Sequence, residues 1–195
     1  MTLVTRSFYA RDTVKVAQDL LGKTLVRDVN GIVVSGIIVE TEAYRYKDDP
    51  ASHSYGGMTE RNKAMFGQVG RAYVYFTYGM HFCVNAVARS PDYSAGAVLI
   101  RSIIPQQGID FMSKQRKTSD ISNLANGPAK LTQALQITKN RGKLVKNNDQ
   151  LYFVTVHPAA IIYNPGLRQV LKDDFILLAK TLDKLRKGLD VEISK

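Results

Sequence analysis

The chain has 195 residues, of which 45% are hydrophobic and 23% charged, a composition typical of an ordinary globular protein. This length suits one domain, and no apolar run is long enough to cross a lipid bilayer. The single cysteine, Cys83, excludes an internal disulfide and any Cys-x-x-Cys motif, and three scattered histidines give no zinc pattern. We therefore expect a protein of a reducing compartment that requires neither a metal nor another cofactor.

The charge balance is the first indication of function. Twenty-seven Lys and Arg residues against seventeen Asp and Glu give a net charge of +10, and the pI is about 9.7. Such an excess is typical of a protein that binds a polyanion, and nucleic acid is the leading candidate. Ribosome-bound proteins and merely basic housekeeping proteins share this bias, so charge alone leaves them open.

The beginning of the chain predicts a capped helix followed by a β-hairpin. Asp12 precedes apolar residues at helical spacing and Gly22 follows them, which indicates an N-cap and a glycine stop. Residues 23–27 alternate as a strand, and the turn pair Asn30-Gly31 leads into a long apolar strand over residues 32–44.

The second strand of this hairpin ends in two carboxylates and a phenol. Because side chains alternate along a strand, Glu40, Glu42 and Tyr44 are predicted to share one side. Two like charges on a mostly apolar strand are costly unless one has a partner or keeps its proton, which is typical of a working acid or base. The alternative is that the strand leaves the core here and both glutamates lie in water.

A second hairpin follows a polar, turn-rich loop over residues 45–62. Residues 73–77 and 82–87 are rich in aromatic and β-branched side chains, and the turn between them contains Tyr78, Met80 and His81. Large apolar groups at a hairpin tip are what a wedge between stacked bases requires. The alternative is that the tip packs under a neighbouring loop.

Arg101 interrupts the apolar strand predicted over residues 97–104. A buried guanidinium needs an anionic partner, and Glu40 or Glu42 would serve. Otherwise Arg101 faces solvent, with only its stem covered.

The remaining elements are predicted from turn residues and apolar spacing. Lys130 at a helix start and the basic turn over residues 140–143 are of a kind that contacts phosphate, although most Gly-Pro helix starts bind nothing. The expected elements are helices over 106–117, from Gly127-Pro128 onward and over 167–186, and a strand over 151–156.

Several ordered stretches together resemble the alkyladenine (3-methyladenine, methylpurine) DNA glycosylases. They lie within roughly the first three quarters of the chain, from Arg6 to about Lys143. The stretches are Val39-Glu40-Thr41-Glu42-Ala43-Tyr44, His53, Thr59-Glu60-Arg61-Asn62, Met65-Phe66, Tyr73-Val74-Tyr75, Tyr78-Gly79-Met80 and Asn126-Gly127-Pro128-Ala129-Lys130-Leu131.

The resemblance implies an α+β fold: one domain over residues 1–195, with a curved antiparallel sheet, a protruding β-hairpin and surrounding helices. It implies a monofunctional DNA-3-methyladenine glycosylase of base-excision repair, which flips a damaged purine out of duplex DNA and hydrolyses its N-glycosidic bond with a glutamate-activated water. The expected partner is double-stranded DNA containing damaged purines, without a membrane, and the protein is expected to be a monomer. Its location would be cytoplasmic and nucleoid-associated in a prokaryote, or nuclear in a eukaryote.

The resemblance also assigns roles to individual residues. Glu42 matches the catalytic base of the family, Arg101 the arginine beside the catalytic water, and Tyr78 the side chain inserted where the base left. The substrate-binding residues would be Tyr44, His53 and Tyr75 as walls, and Asn85, which disfavours normal guanine by crowding its exocyclic amine. A basic DNA-facing surface is expected to include Arg61, Lys63, Lys130, Arg141 and Lys143.

The similarity is incomplete near the C-terminus. The family usually closes with a short segment, containing arginine and aromatic residues, that helps to wall the pocket, and we do not find it from about residue 151 onward. Residues 154–162 are the candidate replacement. One alternative function is therefore a catalytically silent DNA-binding protein of the same fold. Another is a hydrolase of free nucleosides, but such an enzyme needs neither a charge of +10 nor a wedge.

Overall fold

The structure, a computed structural model, describes residues 3–137, 143–147, 150–154, 167–189 and 193–194. The chain divides into two compact units. The first comprises Met1–Tyr75 and His81–Ile137, and the second comprises Phe76–Met80 and Thr138–Lys195.

Five strands form the larger sheet. They are β1 (Thr24–Val29), β2 (Ile32–Arg45), β3 (Ala72–Thr77), β4 (His81–Val87) and β5 (Gly96–Gln107). Their order across the open antiparallel sheet is β1-β2-β5-β4-β3. The helices of the first unit are α1 (Arg6–Tyr9), α2 (Thr13–Leu20), α3 (Ile109–Arg116) and α4 (Pro128–Ala134), with 3₁₀ turns at Lys63–Phe66 and Ile121–Asn123.

The second unit contains a smaller sheet and a long helix. Strands β6 (Lys143–Asn147) and β7 (Gln150–Val154) are antiparallel, and β8 (Ile193–Ser194) lies parallel to β6. Helix α5 spans Leu167–Arg186. The predicted strand and helix are thus confirmed over these ranges, whereas residues 140–142 of the predicted basic turn lie outside the described residues. Of the helices in the described ranges, none combines the length and hydropathy that a bilayer crossing needs.

The cap of α2 and the turn of the first hairpin form as the sequence predicts. The Asp12 carboxylate accepts hydrogen bonds from the backbone N–H groups of Val14 and Lys15, at 3.0 and 3.1 Å, which caps α2. Asn30 and Gly31 both have positive φ, 53° and 86°, as a two-residue turn between right-twisted strands requires. The sequence predictions of a capped helix, the hairpin and an α+β fold are confirmed.

Different groups pack against the two faces of the larger sheet. Helices α2, α3 and α4 lie on the side of the main apolar core, which includes Val98 and Ile100 of β5. A smaller cluster contains Ala97 of β5 together with aromatic side chains from β2 and β3. Strand β5 is therefore covered on both faces. The main apolar core and its helices cover one face, and the smaller cluster with its aromatic side chains covers the other.

A register shift separates the two ends of the β2–β5 pairing. Ile38 pairs with Ile103, Glu40 with Ser102, and Thr41 with Ile100, so Val39 and Arg101 have no opposite residue. Bulged residues of this kind bend a strand and turn its side chains to new directions. The sequence does not predict this irregularity, which sets the direction of Arg101.

The predicted helix over residues 106–117 begins too early. Strand β5 continues to Gln107, which pairs with Ser35 of β2, and α3 begins only at Ile109. Gly108 joins the two elements with a φ of 72°, a conformation favoured by glycine. Strand pairing therefore outweighs helix propensity at these two glutamines.

Gly36→Ala tests how tightly the β2–β5 pairing is packed. A Cβ at residue 36 would lie 2.6 Å from the Ile104 carbonyl oxygen and 2.8 Å from the Ile103 Cδ1. We expect the substitution to lower the free energy of unfolding by about 1–3 kcal/mol, because overpacking outweighs the gain of a few tenths from restricting the unfolded chain. Urea denaturation measures the change. The control is Gly56→Ala, where a Cβ meets nothing within 4 Å; an equal loss in both variants would contradict the interpretation.

Candidate active site

Arg101 joins the two glutamates of β2. Its Nε donates to Glu40 Oε1 at 2.8 Å, and its Nη1 lies 2.8 Å from Glu42 Oε1. The other oxygen of Glu42 accepts a hydrogen bond of 2.5 Å from the Tyr44 phenol. The prediction that Arg101 pairs with a β2 glutamate is confirmed, and it pairs with both. Both glutamates nevertheless remain partly in water, because the side chains of Glu40 and Glu42 are 50% and 37% exposed.

The hydrogen bonds of Tyr44 fix its protonation state. Burial, followed by the hydrogen bond and negative charge of Glu42, raises the pKa of Tyr44 to about 12. The phenol therefore remains a donor to Glu42 at neutral pH. The hydrogen bond to Glu40, together with the charges of both glutamates, raises the pKa of Arg101 against the opposing effect of burial. Two carboxylates thus share one permanently charged guanidinium.

A recess adjoins this cluster. Its cavity volume is about 50 Å³, below the range of about 300–1,000 Å³ for small-molecule sites. Tyr44 belongs to both features, because its ring lines the recess while its phenol contacts Glu42. The lining residues are Tyr44, Ala51, His53, Met65, Tyr73, Tyr75 and Asn85.

His53 extends from the loop into this aromatic group. Its Nδ1 lies 3.0 Å from the Tyr73 phenol oxygen, and its ring meets Tyr75 edge-to-face at 4.5 Å between centroids. Partial burial, and then the positive charge of Arg61, lower the pKa of His53. The imidazole is therefore neutral at pH 7 and presents one donor and one acceptor.

Asn85 is fixed on the same face of the sheet. Leu99 of β5 pairs with Glu42 on one side and with Asn85 on the other, and residues opposite each other in a sheet point to the same face. The side chain of Asn85 is 3% exposed, and its Nδ2 donates to the Tyr73 carbonyl at 3.1 Å. The amide is thus held in one orientation at the recess.

The single cysteine has a partner at the back of the aromatic group. Cys83 is buried, and its thiol is hydrogen-bonded to the Tyr75 phenol. Burial raises the pKa of both groups, so both remain protonated at neutral pH.

Tyr78 occupies the turn between β3 and β4. Its side chain is 85% exposed, and its backbone adopts a φ of 50°. Met80 in the same turn is 40% exposed. Both side chains of the turn are therefore exposed.

The predicted DNA-backbone residues differ in their surroundings. Arg61 is exposed, and Lys63 is exposed while forming an ion pair of 2.7 Å with Glu60. Lys130 donates to the side-chain oxygens of two asparagines, at 2.5 and 2.9 Å. Arg141 lies outside the described residues, and Lys143 is described only as part of the backbone of β6.

Sequence reasoning omitted several residues that shape the recess. Tyr73 could have been found, because it lies two residues before Tyr75 on one strand and must share its face. Ala51 carries no pattern that would place it there, whereas Met65 lies in the recognised stretch Met65-Phe66 but received no role. Asn62, which lies in one of the recognised stretches, received no role. Among the described residues, no group of three or more His, Cys, Asp or Glu side chains is arranged to hold a metal ion.

Comparison with known proteins places the chain among DNA glycosylases. Residues 7–165 match the family model described as methylpurine-DNA glycosylase. A proposed 3-methyladenine DNA glycosylase of Clostridium acetobutylicum is 47% identical over 156 residues, covering 75% of this chain and 76% of that protein. Another, of Carboxydothermus hydrogenoformans, is 49% identical over 159 residues, covering 81% and 82%. The chain belongs to the methylpurine-DNA glycosylase family.

The family match extends further than the recognised stretches. It continues past Lys143 to residue 165, so it includes part of the segment that we expected to have diverged from about residue 151. Apart from Val154, the candidate replacement segment 154–162 lies outside the described residues.

The surroundings of His53 predict how it titrates. We expect an NMR titration to give His53 a pKa below its ordinary value of about 6.5, and we expect Arg61→Gln to raise it. Because the unfolded chain then binds more protons than the folded one, His53 makes stability fall as the pH drops below about 6.5, and has no effect above it. A pKa at or above 6.5 in the folded protein would contradict this account.

Proposed function

We propose that this DNA glycosylase is a monofunctional 3-methyladenine enzyme that brings a damaged purine into the recess and hydrolyses its N-glycosidic bond with water activated by Glu42. One observation carries the proposal. The Glu42 carboxylate, held by Arg101 and Tyr44, adjoins a recess that the Tyr44 ring itself lines. A purine bound in the recess would therefore contact the Tyr44 ring, whose phenol is hydrogen-bonded to the Glu42 carboxylate.

The chemistry requires a negative group and a proton acceptor at the same point. As the bond between the sugar C1′ and the purine nitrogen breaks, its electron pair leaves with the base and positive charge develops on the sugar. The Glu42 carboxylate stabilises that charge and accepts a proton from the water that bonds to C1′. The water oxygen remains on the sugar, and the abasic strand stays intact.

The recess supports selection of an alkylated purine. Alkylation makes the ring system electron-poor, so it stacks more favourably on the electron-rich faces of Tyr44 and Tyr75. His53 is neutral and can exchange a hydrogen bond without repelling a cationic base. Asn85, whose amide is fixed by Tyr73, is the proposed obstacle to the exocyclic amine of normal guanine.

Tyr78 and the basic residues would act on the DNA. Tyr78 fills the gap in the stack after the nucleotide flips, and its exposure at a hairpin turn supports this role. Arg61, Lys63 and Lys130, with Arg141 and Lys143, contact phosphates. The protein acts as a monomer on double-stranded DNA, in whichever compartment contains that DNA.

A catalytically silent DNA-binding protein is the second candidate function. The divergence that we expect from about residue 151 favours it, whereas the contacts of Glu42 with Arg101 and Tyr44 favour an enzyme. Incubation with alkylated duplex DNA, followed by alkali to cleave abasic sites, decides between them. Strand cleavage that depends on the protein supports the enzyme, and its absence at high protein concentration supports the silent alternative.

Glu42→Gln should abolish measurable base release. The substitution removes the proton acceptor while keeping nearly the same shape, so we expect a loss of about 10²-fold or more in single-turnover rate, with affinity for damaged duplex within about tenfold. Gel-based excision and fluorescence anisotropy measure the two quantities.

The matched control is Glu40→Gln, which alters the other carboxylate bound to Arg101. Its loss of rate should be much smaller, because Glu40 has a supporting role only. Comparable single-turnover rates for Glu42→Gln and the unmodified protein would remove Glu42 from the catalytic role.

Tyr78→Ala should impair flipping rather than bond cleavage. It loses a stacking contribution on the order of 1–3 kcal/mol that opposes return of the base. The effect should be large for a lesion in a stable pair, smaller opposite a mismatch, and nearly absent in a single strand, where no stack exists to re-enter.

Glu42→Gln provides the comparison, because its loss should be equal in all three contexts. Single-turnover excision of one lesion at a defined position measures both variants. If Tyr78→Ala slows excision from the single strand as much as from the paired duplex, the wedge assignment is wrong.

A further inference from the structure

Asn62 holds together the loop that carries His53. Its side chain is 2% exposed. The Nδ2 group donates to the carbonyl oxygens of His53 and Gly57, at 2.7 and 2.9 Å, and Oδ1 accepts from the Thr59 backbone N–H at 2.6 Å. One side chain thus connects three points of the segment between residues 53 and 62.

The contacts require an amide at this position. Two carbonyl oxygens need donors and one backbone N–H needs an acceptor, and asparagine supplies both from one planar group. The same partners fix which end of the amide is nitrogen. An aspartate would place an acceptor against two carbonyl oxygens, and an alanine would leave three buried or partly buried backbone groups without this partner.

The contacts of His53 transmit this constraint to the recess. Its carbonyl is held by Asn62, while its ring contacts the Tyr73 phenol and the Tyr75 ring. No ladder of β-sheet hydrogen bonds fixes the loop, because residue 53 lies in a stretch of turns. The position of the imidazole at the recess therefore depends on the asparagine nine residues further along.

We propose that Asn62 is a positioning residue for base recognition: it fixes the His53 backbone so that this wall of the recess is formed before a purine arrives. The inference rests on the proposed function, since it assumes that a base enters this recess. Its physical basis is preorganisation, because a loop ordered during folding needs no ordering when the base binds. Asn62 contacts no reacting atom.

Asn62→Ala tests the proposal without adding charge near His53. Gly36→Ala is the matched control, because its added Cβ would meet Ile103 and Ile104, neither of which lines the recess. Three quantities are measured per folded molecule: the NMR pKa of His53, the affinity for a duplex with an abasic site, and single-turnover release of methylated purine from dimethyl sulfate-treated duplex at saturating protein.

For Asn62→Ala we expect the pKa of His53 to rise toward 6.5, excision to fall by at least about tenfold, and affinity for the abasic duplex to change by less than about threefold. Gly36→Ala should leave all three unchanged. If Asn62→Ala does not fold, Asn62→Ser, which retains one hydrogen-bonding group, should give smaller changes in the same directions.

A merely structural role predicts a different result. In that case the folded fractions of Asn62→Ala and Gly36→Ala would have the same His53 pKa and the same excision rate, which would overturn the proposal. An unmodified protein that releases no base would refute the proposed glycosylase activity instead. The titration of His53 would then decide by itself whether Asn62 positions it.

Discussion

The ion pairs of Arg101 with Glu40 and Glu42 are the interaction on which the candidate site depends. Two carboxylates close together repel each other, and a single guanidinium that contacts both offsets this repulsion. The geometry exists because the β2–β5 register slips at Val39 and Arg101, which leaves Arg101 without an opposite residue. The bulge is thus a condition for the site.

The local charge at this cluster is opposite to that of the whole protein. Two carboxylates and one guanidinium leave about one negative charge, within a chain of net charge +10. The screening length at physiological ionic strength is about 8 Å, so the charges of this cluster act mainly on groups that come within about that distance. Under the proposed function, the basic surface would attract phosphates, while the cluster would present its negative charge to a group bound close to Glu42. This separation suits an enzyme that must bind an anion and stabilise a cation.

The sequence predicts those parts of the site that follow from periodicity and pairing. Strand alternation predicts that Glu42 and Tyr44 share a face, and the need of a guanidinium for an anion predicts the partner of Arg101. The bulge was not predictable, because residues 38–39 and 100–104 are mostly apolar and admit more than one register. The contacts of Asn62 were not predictable either, because they depend on how an irregular loop closes.

The strand residues of the candidate site and its loop residues are expected to differ in their sensitivity to substitution. Glu42 and Tyr44 lie on a strand whose backbone pairs with β5, so many hydrogen bonds share the task of holding them. His53 lies on a loop without such pairing, where buried polar backbone groups must find side-chain partners. Asn62 provides several of these at once. The proposed reacting group is therefore held by the fold as a whole, whereas the shape of the proposed base-binding wall depends on single side chains. Substitutions in the loop can for this reason alter which base is accepted while leaving the sheet and Glu42 in place.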